Sequence, residues 1–170
     1  MTQESLALLH RLAENLDAVL IWSLVATALM TTVLQGSQGL GLSRLSLPFL
    51  FGTFFTSDRG RAVVIGSLMY MAGGWAFGVF YFFIFVSLGG ATWWLGGILG
   101  ALHGLFLLVS LHSMALIHPR MASEYDAPAM EPKLEPPGFI GLNYGYRTPL
   151  TTLLAQVLYG VILGGFLPMR

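Results

Sequence analysis

The 170-residue chain has no cysteine. That removes disulfides, thiolate metal sites, iron–sulfur clusters and a cysteine nucleophile together, and it leaves the redox compartment open. Charge is almost as scarce. Eight acids and eight bases make up 9% of the residues, where a soluble domain carries about 25%. So few charges cannot coat a water-facing surface of this size. They also cancel to a net charge of zero, so nothing points to a nucleic-acid partner. No aspartate or glutamate lies deep in any long apolar run, which argues against a carboxylate-based proton or cation pump. No nucleophile–base pair or carboxylate dyad stands at usable spacing, so enzymatic chemistry is the weakest reading.

What the chain does have is hydrocarbon. Hydrophobic residues make up 55% of it, gathered into runs long enough to cross a bilayer core of about 30 Å. The expected fold is all-α: one polytopic membrane domain over residues 1–170 with four transmembrane helices, at 18–35, 62–88, 91–118 and 149–167. Between the second and third spans only Gly89-Gly90 is free to turn, which predicts a tight helical hairpin. Residues 5–16 place Leu9, Leu12 and Leu16 at helical spacing, away from His10 and Glu14, as an interfacial amphipathic helix does. Residues 45–55 (LSLPFLFGTFF) are apolar but too short to span, which suits an interfacial or re-entrant segment. Pro48 is placed to begin its helix, and Thr56 or Ser57 to cap the next one. Residues 119–148 form the longest polar stretch. Prolines at 128, 132, 136 and 137 predict extended, polyproline-like chain there.

Orientation follows from lysine and arginine. With four spans, the loop carrying Arg44, Arg59 and Arg61 shares a side with the loop carrying Arg120, Lys133 and Arg147. The opposite side holds only Arg11 and Arg170. Six against two places the two longer loops in the cytoplasm and both termini outside. Glu4, Arg11, Glu14 and Asp17 give the chain's start a net negative charge, which does not suit a signal peptide.

Glycines recur four apart: Gly74 and Gly78 in the second helix, Gly96, Gly100 and Gly104 in the third, Gly160 and Gly164 in the fourth. This spacing clears a strip on which another backbone can approach closely, within the chain or from a second copy. In the first helix Thr27 and Thr31 share a face, with Thr32 and Gln35 following. They either bond back to their own helix carbonyls or line a polar cavity. Tyr70, Trp75, Gln156 and Tyr159 are further polar groups within the spans.

Three of the four histidines fall within HGLFLLVSLHSMALIHPRM, residues 103–121. A helix turns about 100° per residue, so His103 and His112 point to roughly opposite faces. His103 and His118 share a face, but about 22 Å of helix separates them. No two of them can ligate one metal. A haem or metal site would need a methionine, a carboxylate or a second subunit, and the sequence specifies no cofactor. His103, beside the glycine strip, is the candidate for an in-membrane polar site with His112, Thr27, Thr31, Gln156 and Tyr159.

The runs HPRMASE (118–124), LEPPGF (134–139), NYGYRTP (143–149) and YGVILGGF (159–166) resemble a family of uncharacterised bacterial four-helix integral membrane proteins, and LSLPFLFGTFFTSDRGR (45–61) resembles its first cytoplasmic segment. The resemblance extends from about residue 24 to 166 and brings no activity with it. It implies a histidine near the start of the last span, where this chain has Gln156. It also directs attention to a cytoplasmic-end site of His118, Arg120, Glu124, Asn143, Tyr144 and Arg147, in which Arg120 and Arg147 together would hold an anionic headgroup or solute. Three functions stay open: a small transporter, channel-like element or accessory subunit of a membrane complex; a membrane-embedded redox or metal protein using the third-helix histidines; and a lipid-binding scaffold. The expected partners are the lipid bilayer and either copies of the chain or the other subunits of a complex.

Overall fold

The described residues form seven α-helices and one 3-10 turn: α1 Gln3–Glu14, α2 Leu16–Gly39, α3 Leu47–Gly52, α4 Arg59–Ser87, α5 Trp93–His112, α6 Met114–Ile117, the 3-10 turn Phe139–Tyr144, and α7 Thr148–Phe166. They are seen in a computed structural model that describes residues 3–122 and 133–168. Among the described residues there is no strand, only an isolated bridge between Met121 and Leu134. Four of the helices, α2, α4, α5 and α7, are long and apolar enough to cross a membrane. Each leaves large apolar side chains exposed, such as Ile21, Leu68, Phe106 and Leu154, as a surface solvated by lipid does.

Local chemistry sets the ends of these helices. Asp58 Oδ1 accepts the Arg61 N–H at 2.8 Å, so Asp58 caps α4. Thr56, one of the expected caps, instead accepts the Asp58 N–H on its Oγ1 at 3.2 Å. At the other end of α4, Gly89 N–H reaches Val86 O at 3.2 Å and Gly90 N–H reaches Phe85 O at 2.9 Å. This paired bonding requires a left-handed residue, which Gly89 supplies at φ +87°. The C-terminus of α2 repeats the arrangement at Gly41, φ +68°, with Leu42 N–H on Ser37 O at 2.9 Å. The third long helix is shorter than the run 91–118. It breaks at Ser113, and α6 carries the chain to His118, which is extended (ψ 118°) because Pro119 follows it. The stretch before α7 is not wholly extended either, since the 3-10 turn takes up residues 139–144.

Packing divides the chain into two compact units. Unit 1 comprises Met1–Thr32, Met71–His103 and Leu154–Arg170; unit 2 comprises Val33–Tyr70 and Gly104–Leu153. In unit 1 the glycines of α5 and α7 stand against one another. A Cβ on Gly96 would lie 2.0 Å from Gly160 O, one on Gly100 would lie 2.3 Å from Gln156 O, and one on Gly164 would lie 2.2 Å from Thr92 O. The obstacle in each case is backbone, which cannot swing aside. The two strips are therefore filled within a single chain. In unit 2 the same device seats α3 on α4: a Cβ on Gly52 would lie 1.7 Å from Ala62 O, and one on Gly66 would lie 1.6 Å from Pro48 O. The segment 45–55 is thus packed against protein, with Leu47 and Leu50 buried.

Gly96→Ala is expected to lower the thermal stability of the protein in detergent or lipid by an amount typical of overpacking, on the order of 1–3 kcal/mol. Gly97→Ala meets only the flexible Val161 side chain at 3.3 Å and should change little. Equal unfolding temperatures for the two variants would mean that the α5–α7 contact is not the tight one.

Candidate functional site

The in-span polar residues of unit 1 gather where α2, α4, α5 and α7 meet. Ser23 Oγ occupies the place of a Gly78 side chain, 1.7 Å from where its Cβ would be, and the Tyr159 hydroxyl lies 3.6 Å from the same point. Thr27 Oγ1 fills the corresponding notch at Gly74, at 2.1 Å. Both hydroxyls are fully buried, and neither Oγ has a conventional hydrogen-bond partner. Each instead rests on a glycine backbone, the setting of weak Cα–H···O contacts. Tyr159 is buried and donates to Gly74 O at 2.6 Å, and Trp75 Nε1–H donates to Leu20 O at 3.1 Å. Thr31 Oγ1 bonds back to Thr27 O at 2.6 Å, and Thr32 Oγ1 to Ala28 O at 2.9 Å. Gln35 is exposed. Gln156 is 3% exposed, and its Oε1 is left without a partner.

His103 faces aromatic rings. It stacks on Phe77 with centroids 3.9 Å apart, and the Tyr159 ring stands edge-on at 6.3 Å. Its Nδ1 is 3.5 Å from the Tyr81 hydroxyl. Thr27, Gln156 and Tyr159 therefore lie in the same unit as His103, whereas His112 belongs to unit 2 and is exposed. Gly104 is buried in unit 2.

The loop residues of unit 2 form a second polar assembly. His118 is buried. Its Nε2 lies 3.2 Å from Leu50 O and 3.1 Å from Thr53 Oγ1, and its Nδ1 accepts the Arg120 N–H at 3.2 Å. That set is satisfied by neutral imidazole with the proton on Nε2. Phe54 closes the ring edge-on at 4.1 Å. The Arg120 guanidinium donates through Nη1 to Thr53 O at 2.7 Å and Phe54 O at 3.0 Å, carbonyls just past the end of α3. Burial holds the His118 pKa below its ordinary value. The Leu50 carbonyl works against this and the Arg120 charge adds to it.

Arg147 instead lies over the Tyr146 ring, 5.0 Å from its centre. Arg120 and Arg147 thus take different partners, Arg120 through Nη1 on backbone carbonyls and Arg147 on an aromatic face. Arg120 lies outside any helix, and Glu124 lies outside the described residues. Asn143 Nδ2 donates to Pro136 O at 3.0 Å, and the Tyr144 hydroxyl donates to Glu135 O at 2.7 Å. Burial, with help from Glu135 and against Arg44, pushes the Tyr144 phenol up to about 12, so it stays a donor. Arg44, which the sequence offered only as an orienting charge, pairs with Glu135 at 3.0 Å, 91 positions away, and donates its backbone N–H to Tyr144 O at 2.7 Å. Ser43 and Thr148, both buried, join their hydroxyls at 2.8 Å. These pairings leave no local sequence signal, because each partner lies in a different segment. Among the described residues no group of three or more histidine and acidic side chains is placed to hold a metal. The chain matches no protein-family profile, no curated protein and no solved structure.

A histidine that folding holds below its ordinary pKa binds fewer protons folded than unfolded. Its contribution to stability is complete above pH 6.5, the ordinary value, and is lost as pH falls below it. Thermal unfolding followed downward from about pH 8 should show that loss. In His118→Gln the loss below 6.5 should be shallower; an unchanged slope would mean that His118 protonates freely in the folded state.

Proposed function

We propose that the chain is a non-enzymatic accessory subunit of a bacterial inner-membrane complex, one that works by packing and binding and not by conducting a solute. The observation that carries this reading is the filling of unit 1. The threonine face that a polar lining would need is spent: Thr27 and Ser23 fill the glycine notches of α4, and Thr31 is bonded to its own helix. The α5 and α7 backbones touch through their glycines, and His103 is stacked on Phe77. All six loop cations, Arg44, Arg59, Arg61, Arg120, Lys133 and Arg147, belong to unit 2, which favours its loops as the cytoplasmic ones and both termini as periplasmic. The motif resemblance to bacterial four-helix membrane proteins agrees with that setting. On this reading α1, which buries none of its residues, lies along the periplasmic membrane surface.

Reconstituted into vesicles, the protein should leave ion and small-solute permeability at the background of empty vesicles. Extraction of native membranes in a mild detergent should bring it out in a complex larger than itself. A permeability that the protein adds and that Thr27→Val or His103→Phe abolishes would replace this reading with the channel-like one.

A further inference from the structure

Unit 2 contains a cavity of about 150 Å³ with a mixed lining. Arg44, Ser46, Glu135 and Tyr144 make it polar in part, and Phe49, Leu50 and Leu134 supply hydrocarbon. An engineered apolar cavity of about this size holds a benzene ring, so there is room for a small anionic group and its first carbons. The Arg44 guanidinium spends one N–H on Glu135 and one on the Asn143 carbonyl. A guanidinium has five, so donors remain for a further acceptor. The Arg44–Glu135 pair is open to solvent, with side chains 67% and 49% exposed, and an exposed pair of this kind holds weakly. An incoming anion can therefore displace the carboxylate. A second cation touches one of the lining residues, since the Arg59 guanidinium sits 5.9 Å over the Phe49 ring. The nearby acid is spent elsewhere, because Asp58 caps α4.

Arg44, Ser46, Phe49 and Leu50 lie on the chain between α2 and α4, and Leu134, Glu135 and Tyr144 on the chain before α7; all three are apolar helices long enough to cross a membrane. A site at such helix ends meets headgroups, and a cation beside hydrocarbon side chains matches a phosphate ester joined to an acyl chain. We propose that this cavity binds the phosphate of an anionic phospholipid headgroup on Arg44, with Glu135 as the internal counter-anion that the lipid displaces. The proposal rests on the four apolar helices being membrane spans.

The test uses the full chain in lipid nanodiscs of phosphatidylcholine containing one part in ten phosphatidylglycerol. Lipid retention is read by native mass spectrometry after release from the disc. Wild type should retain phosphatidylglycerol in preference to phosphatidylcholine. Arg44→Gln should lose about tenfold of that preference, the scale of one charge-assisted hydrogen bond. Glu135→Gln should raise it, because the competing carboxylate is gone. A purely structural ion pair predicts that both variants fall together, and that outcome would overturn the proposal, as would wild-type indifference between the two lipids. Because Glu135→Gln is expected to gain binding, misfolding of the arginine variant cannot produce the full pattern. Inorganic phosphate added alone should not compete; full displacement by it would overturn the lipid as occupant in favour of a free anion. Failure of the chain to incorporate into phosphatidylcholine discs at all would sink the membrane reading itself, separately from the headgroup site.

Discussion

The closeness of the α5 and α7 backbones is the constraint on which unit 1 depends. Between helices in lipid there is no hydrophobic force to exploit, so association rests on van der Waals contact and on hydrogen bonds. Contact energy falls steeply with a gap of even half an ångström. Gly96, Gly100, Gly160 and Gly164 close that gap by removing the side chains that would open it. Once α7 is held there, its next turn follows. Tyr159 is adjacent to Gly160, so its hydroxyl is carried to α4, where it meets Gly74 O. His103 is one turn beyond Gly100, so its ring is brought against Tyr159 and the aromatic face of α4. The cost is conformational: each glycine gives up more backbone freedom on folding than any other residue.

Unit 2 uses the same close approach once, at Gly52 and Gly66, and then relies on a different force. A six-residue α3 cannot satisfy its own last carbonyls. Arg120 and His118 arrive from the far side of α6 and bond to Leu50, Thr53 and Phe54 there. The bridge at Met121–Leu134 and the bonds from Tyr144 to Glu135 and from Asn143 to Pro136 tie the returning loop down. Proline content explains why backbone carbonyls serve as the acceptors: a proline-rich stretch offers carbonyls but few N–H donors, so side chains must supply the donors.

The four long apolar helices were legible in the sequence because run length and hydropathy are local properties; α2, α4 and α7 begin and end within a few residues of the expected runs. The glycine strips were legible as strips, since a four-residue spacing is itself the geometry of a helix face. Their partner was not legible, because α5 and α7 are joined by no local pattern. The same limit applies to Arg44 and Glu135 and to His118 and Thr53, pairs whose members lie in different loops. The break at Ser113 was missed because apolar periodicity runs through it unchanged. Thr31 shows the converse, since its bond to the Thr27 carbonyl depends only on spacing along one helix.

Where the polar capacity of a membrane protein remains unspent bears on where it acts. In unit 1 the Tyr159 and Trp75 donors are committed to backbone carbonyls, two of the buried hydroxyls rest on glycine, and the unpartnered Gln156 Oε1 is buried. A ligand entering there would have to break packing before it made a bond. In unit 2 Arg120 Nη1 is bonded to the Thr53 and Phe54 carbonyls, whereas Arg44 lines an open cavity with N–H groups in hand and is held by an exposed carboxylate that water already screens. Displacing a screened pair costs little, whereas separating touching backbones costs the whole contact. A ligand would therefore meet less resistance at the Arg44 cavity of unit 2 than within the packing of unit 1.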